Sequence, residues 1–169
     1  MERFIIGDLH LGHKNIIEYC SRPFVDVDDM NISLISNWNS VITKTDKVYV
    51  NGDVCINKKY LSLLNEMNGK KILIPGNHDI FEAKEYFKYF DDIRGYMVRN
   101  NVIFSHIPIY KSEIERFQGN IHAHFHEQRV MINDKIHPFY YSTSVEQINY
   151  TPLSFDLVFE NLKSQQNEN

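Results

Sequence analysis

Apolar residues in the first half of the chain fall into short runs that stop at glycine, aspartate or asparagine. Phe4-Ile5-Ile6 stops at Gly7-Asp8, Lys47-Val48-Tyr49-Val50 at Asn51-Gly52-Asp53, and Lys71-Ile72-Leu73-Ile74 at Pro75-Gly76-Asn77. Runs this short bounded by turn residues predict β-strands. Between them, Ile32, Leu34, Ile35, Trp38, Val41 and Ile42 recur at spacings of three and four. So do Tyr60, Leu61, Leu63, Leu64 and Met67, and both sets predict amphipathic crossover helices. Alternation of this kind is the pattern of an α/β fold with sequential parallel strands. In such sheets ligands gather just beyond the carboxyl ends of the strands, which places the three glycine-containing loops together.

The second half reads differently. Ile80 to Phe90 is predicted helical, followed by a hairpin from Tyr96-Met97-Val98 through Asn100-Asn101 to Val102-Ile103-Phe104. Asparagine tolerates positive φ, which that turn demands. Further strands are expected over 121–125, 130–132 and 139–142, so two sheets are predicted. Ser154 is placed to cap a last helix through Leu157, Val158 and Leu162. Residues 1–163 are expected to form one domain, with 164–169 a polar, frayed tail.

Composition narrows the class. With 169 residues, 43% hydrophobic and 24% charged, the chain is neither collagenous nor disordered. The formal net charge of −4 and scattered basic residues argue against an extended nucleic-acid track and favour a small anionic substrate. Cys20 and Cys55 match no zinc or redox spacing and read as reduced thiols of a cytoplasmic protein. The chain opens directly into a strand-like run with no signal-peptide pattern, and no apolar run is long enough to span a membrane.

Chemistry concentrates in five clusters: Asp8-Leu9-His10, Gly52-Asp53, Gly76-Asn77-His78-Asp79, Ser105-His106 and His122-Ala123-His124-Phe125-His126. Imidazole and carboxylate without thiolate are the donor set of a two-metal hydrolytic site, not of a structural zinc or an electron-transfer centre. In an extended chain, residues i and i+2 face the same way, so Asp8 with His10, and His124 with His126, could each hold one cation. Asp53 offers a carboxylate that can bridge two ions, and glycines at 52 and 76 let backbone approach them. Taken singly, Asp8 and Asp53 fit turns or caps, and His78-Asp79 fits a capping pair; the five clusters together do not.

Asp-x-His, Gly-Asp, Gly-Asn-His-Asp, Ser-His and Ala-His-x-His, in this order, resemble the calcineurin-like metallophosphoesterase superfamily, whose usual last motif is Gly-His-x-His. The opening Gly-Asp-Leu-His-Leu-Gly-His-Lys-Asn-Ile-Ile with Ser21-Arg22-Pro23-Phe24 further resembles a small stand-alone bacterial and phage branch. The resemblance implies a four-layer α-β-β-α sandwich of two mixed sheets packed face to face. It implies one metal on Asp8, His10, Asp53 and His126, and another on Asp53, Asn77, His106 and His124. His78 would stabilise the phosphoryl oxygens or protonate the leaving oxygen, with Asp79 fixing its tautomer. Manganese heads the candidate metals, with iron, zinc, nickel and cobalt also suited to these donors.

The expected activity is hydrolysis of a small phosphodiester or nucleotide by in-line attack of a metal-bridging hydroxide. A phosphomonoesterase or nucleotidase, a nuclease, and a metal-binding scaffold on the same fold are the alternatives. His13 and Arg22 flank the first loop as candidate phosphate contacts; the competing roles are a helix-start hydrogen bond for His13 and a surface salt bridge for Arg22. His122 is expected to pack behind the ligands, and Pro108 to Lys111 with Glu113 to Gln118 are expected to shape the substrate pocket.

Overall fold

In the structure, a computed structural model describing residues 1–168, the three early runs form β1 (Arg3–Ile6), β2 (Lys47–Val50) and β3 (Lys70–Leu73), parallel and adjacent. β4 (Asp92–Ile93) extends this sheet on the β3 side. The hairpin is β5 (Met97–Arg99) and β6 (Val102–Phe104), turning through Asn100 and Asn101 at φ of 50° and 57°. β7 (Gly119–His122) runs parallel to β6, β8 (Met131–Ile132) and β9 (Lys135–Ile136) form a separate hairpin, and β10 (Tyr140–Ser142) runs parallel to β7. β11 (Leu153–Ser154) returns antiparallel to β1. The result is a five-stranded sheet, β11-β1-β2-β3-β4, and a four-stranded one, β10-β7-β6-β5, both mixed.

Strand alternation makes the two-sheet core. Ile5, Tyr49 and Ile72 of the first sheet face Met97, Val102, Phe104 and Ile121 of the second, forming one buried cluster. Their strand neighbours Phe4, Ile6, Val48, Val50 and Leu73 face the opposite way, into a second cluster built with helices. The helices are α1 (Lys14–Tyr19), α2 (Val27–Val41), α3 (Ala83–Tyr86), α4 (Lys111–Ile114) and α5 (Phe155–Asn167). The Asp26 side chain caps α2 by accepting from the N–H groups of Asp28 and Asp29. The buried stripe of α2 is Met30, Leu34 and Trp38, one turn apart; Ile32 and Val41 of the expected face are exposed instead.

Other differences have local causes. The segment holding Leu61, Leu64 and Met67 is a 3₁₀ helix over Lys58–Glu66, because its buried positions recur every three residues, the 3₁₀ period. Between Ile80 and Phe90 only α3 is helical; Tyr86 and Phe90 are buried while Ile80 and Phe87 face outward, leaving no continuous apolar stripe. The expected strand over 121–125 ends at His122. Lys135 and Ile136 pair with the expected 130–132 strand through Asn133 and Asp134, both at positive φ. Ser154 caps α5 as expected, accepting from the N–H of Leu157. The expected frayed tail is helical through Asn167, where the Gln165 amide donates to the carbonyls of His137 and Tyr140; Asn169 lies outside the described residues. No described helix is long and apolar enough to cross a membrane.

Phe104, fully buried and stacked on Phe155 at 5.2 Å, joins the sheets to α5. Phe104→Ala should lower unfolding free energy by about 3–5 kcal/mol in denaturant titration. A loss below about 1 kcal/mol would mean that this ring does not anchor the core.

Candidate metal centre

The five clusters lie on loops that leave the carboxyl ends of β1, β2, β3, β6 and β7, all members of parallel pairs. These ends meet because β1 is stitched to the second sheet. Gly7 donates to the Thr143 carbonyl at 2.8 Å and accepts from the Val145 N–H at 3.1 Å. Further backbone bonds run from Asp8 N–H to the Gly52 carbonyl and from His10 N–H to that of Asp53. Ala123 N–H donates to the His106 carbonyl, and His124 N–H to Asp8 Oδ2 at 2.8 Å.

The candidate ligand residues do not sit on extended chain. Asp8, His10, Asp53, His124 and His126 have φ of 57°, 49°, 56°, 74° and 52°. The i and i+2 geometry expected for Asp8 with His10 and for His124 with His126 is therefore replaced by left-handed turns, each costing on the order of 1–3 kcal/mol for a residue with a Cβ. The backbone network above holds them there. Gly52 and Gly76 are needed for close approach: a Cβ at Gly52 would lie 2.2 Å from His106 Nδ1, and one at Gly76 2.2 Å from Asp53 Oδ1. Ala123, where the superfamily usually has glycine, is fully buried, and room for its methyl comes from Gly7, whose own Cβ would meet it at 2.6 Å.

Among the described residues, three groups of donor atoms lie mutually within 4.8 Å: Asp8, His10 and His126; Asp53, His106 and His124; and Cys20, His126 and Glu146, the last sharing His126 with the first. Asp53 Oδ2 lies between the first two, 3.6 Å from His10 Nε2 and 3.4 Å from His106 Nε2. His106 Nδ1 is 2.8 Å from the Asn51 carbonyl, which can only accept, so Nδ1 carries the proton. In the neutral ring Nε2 then presents a lone pair to Asn77 Oδ1 at 3.2 Å and to Asp53 Oδ2, and three electron-rich atoms converge. Asp8 Oδ1 and both His10 nitrogens are buried without hydrogen-bond partners. Such a site calls for cations, and nitrogen and carboxylate donors suit divalent transition metals.

Proton affinities follow the same geometry. Burial pushes the Asp8 carboxyl up to about 6, against the opposing pull of His106 and His126. Burial would also raise Asp53, but the hydrogen bond and charge of His106, the His78 N–H and His10 outweigh it and hold the carboxyl at about 2. Burial takes His10 down to about 2 and leaves it a neutral imidazole. His106 is buried and His126 half-buried, which lowers both, yet Asp53 and Asp8 raise the first, and Glu146 and Asp8 the second.

Each remaining candidate has a defined place. His78 is exposed at the mouth, its ring 5.5 Å from that of His10. Asp79 does not turn back on the His78 ring as expected. Its carboxylate accepts from the N–H groups of Asp53, Val54 and Gly76 at 2.8, 3.0 and 2.8 Å, so it fixes the second and third loops. His13 makes no helix-start side-chain bond; its Nδ1 is unpartnered and its ring is 5.5 Å from His10, which leaves it facing the site. Arg22 corrects both of its expected roles. Its side chain has no exposed surface, and its N–H groups go to Glu146, the carbonyls of Asp8 and Leu9, and Met30 Sδ, leaving none for a phosphate. His122 is buried between Phe125 and Tyr140 and donates to the Ala123 carbonyl, away from the donor groups.

Two participants escape sequence reasoning. Asn51 acts through its carbonyl, which any residue could supply, and Glu146, 3.0 Å from His126 Nδ1, lies in no motif.

The sequence profile of the calcineurin-like phosphoesterase family matches residues 1–167. An uncharacterized protein of Methanocaldococcus jannaschii, MJ1445, is 38% identical over 163 residues, covering 92% of this chain and 88% of its own. The Gene 66 protein of Mycobacterium phage L5 is 35% identical over 78 residues, covering 43% of this chain and 37% of its own. Among solved structures, the protein of unknown function AQ665 from Aquifex aeolicus is similar, with a TM-score of 0.74, 26% identity, and coverage of 95% of this chain and 98% of that one.

Stripped of metal, the chain should lose stability as pH rises above about 6.5. His106 and His126 have raised pKa values, so the fold favours their proton-bound forms and that contribution fades as the protons leave, whereas the loss at Asp8, raised from 3.8 to about 6, is complete near pH 6. His10 and His124 have lowered values; their contribution is lost only as pH falls below about 6.5, outside this window. Saturating Mn²⁺ should remove the alkaline decline. Melting temperature against pH, with and without Mn²⁺, checks this, and a metal-independent profile would count against the centre.

Proposed function

The chain belongs to the calcineurin-like phosphoesterase family, and within it we propose a phosphodiesterase that uses two divalent ions, manganese first among them. The observation that carries this reading is Asp53 Oδ2, 3.6 Å from His10 Nε2 and 3.4 Å from His106 Nε2, between two donor groups. When bound, the ions supply Lewis acidity toward the phosphoryl group and activate water.

The chain's own residues do the rest. The backbone network holds the donors in place before substrate arrives, so little reorganisation accompanies reaction. His78, exposed beside His10, is within the mouth where it can donate a proton to the departing oxygen, and His13 faces the same opening to bind a phosphate oxygen. Asn77 and His78 are exposed at the rim, so the site is open enough to admit a phosphate carrying two ester groups. Apolar side chains follow ligands directly: Ile107 after His106 and Phe125 after His124 are both exposed. They offer a surface for an aromatic or nucleoside portion of a small substrate. The loop reaching Tyr110 is fixed by Asn120, which accepts from the Ile109 N–H, and by Tyr140, which donates to the Ile109 carbonyl.

Chelator-treated protein resupplied with Mn²⁺ should hydrolyse bis-p-nitrophenyl phosphate faster than p-nitrophenyl phosphate, and Asp53→Asn should reduce both to background. Monoester preference would redirect the search to nucleotidases; an active, fully metal-loaded Asp53→Asn would defeat the assignment. Tyr110→Ala and Lys111→Ala should shift relative kcat/KM among diesters by about 10-fold, the scale of pocket contacts worth 1–3 kcal/mol. Unchanged ratios would remove this loop from the pocket.

A further inference from the structure

We infer that Arg22 and Glu146 form a positioning clamp that sets the affinity of one metal position, the one built from Asp8, His10 and His126, and not of the other. This rests on the two-metal reading above. Glu146 Oε1 accepts from Arg22 Nε at 2.9 Å, from Arg22 Nη2 at 2.8 Å, and from His126 Nδ1–H at 3.0 Å. The guanidinium also donates from Nη2 to the Asp8 carbonyl at 2.8 Å and from Nη1 to the Leu9 carbonyl at 3.0 Å. One buried cation thus fixes the backbone that carries Asp8 and, through Glu146, the ring of His126.

The chemistry of the bonds gives the direction of the effect. A carboxylate accepts only, so the His126 proton resides on Nδ1 and the lone pair on Nε2 is free for an ion. Both charged side chains are nearly inaccessible, with 0% and 5% of their surfaces exposed. A buried ion pair is weak evidence for stability, since apolar residues of similar volume often serve as well; orientation of a ligand is what the charges add. The same segment grips the His126 backbone, because Gln147 Nε2 donates to the His126 carbonyl at 3.0 Å. The other donor group is held by different residues: Asn51 orients His106, and Asp79 fixes the backbone of Asp53 and Gly76. Lysine at 22 would present a compact ammonium that cannot span Glu146 and two carbonyls in one plane.

The test is Mn²⁺ titration of chelator-stripped wild type, Glu146→Ala and Glu146→Gln, read by calorimetry and by electron paramagnetic resonance, with melting temperatures alongside. Wild type should take up two ions and show a spin-coupled pair. Glu146→Ala should keep one ion at wild-type affinity and bind the other ~10- to 100-fold more weakly, with the coupled signal giving way to an isolated one. Glu146→Gln, whose amide oxygen still accepts from Nδ1–H, should recover part of the loss and serves if the alanine variant does not fold. Adding His106→Ala to Glu146→Ala should weaken the remaining ion, which identifies the positions. Two ions at wild-type affinity in Glu146→Ala, or equal weakening of both in step with melting temperature, would overturn the clamp. A wild type that binds fewer than two ions would fail the two-metal reading itself, and the clamp with it.

Discussion

The constraint on which the rest depends is repulsion among lone pairs. His106 Nε2 lies 3.2 Å from Asn77 Oδ1 and 3.4 Å from Asp53 Oδ2, and Asp8 Oδ1 is buried with no hydrogen bond. Without cations or added protons such an arrangement is unfavourable, since Asp8 Oδ1 has given up water and received nothing. It persists because the loops carrying these atoms are held by groups that do not themselves face the site. Asp79 takes three backbone N–H groups, the Asn51 carbonyl takes the His106 proton, and the first loop is bonded to both the second loop and the far sheet. Strain at five left-handed ligand residues belongs to the same balance.

Topology makes such a network possible. Parallel strands deliver loops to one end of a sheet, but the donors come from both sheets, so two carboxyl ends must be brought together. The join is a short parallel contact between Gly7 and Ser144, continued by Thr143 N–H to the His122 carbonyl. It aligns the start of the first ligand loop with the end of β10 and carries Glu146 to His126. The absence of a Cβ at Gly7 lets the two sheets close over Ala123. A small residue on one strand and a methyl on a loop 116 residues later are thus one packing decision.

What the sequence made legible is local chemistry. The parallel strands, the Asn100-Asn101 turn and the Ser154 cap are written within a few residues of each other, and the structure has them all. The donor clusters were legible for the same reason, because residue type and short spacing specify ligation. Helix length was less so: the spacing of three in Leu61, Leu64 and Met67 fits a 3₁₀ helix as well as an α-helix, and tertiary packing chose. The backbone conformation of the ligands was also hidden, since Asp-x-His reads as extended chain while φ at both ends is positive. Asp79 looked like a partner of its neighbour His78, yet its carboxylate reaches back to Asp53 and Val54.

Arg22 and Glu146 show why the remainder was out of reach. They are 124 residues apart, and neither has a distinctive neighbour pattern that pairs it with the other. A motif records which atoms touch an ion, because that chemistry admits few substitutes. The residues that aim those atoms are under a looser rule: any acceptor can hold an Nδ1 proton, and the acceptor can be brought to it from any segment that packs alongside. Different members of a fold can therefore keep identical ligands while fixing them with unrelated partners. The aim of the candidate ligands is then a property of each chain's packing, visible only once distant segments are seen side by side.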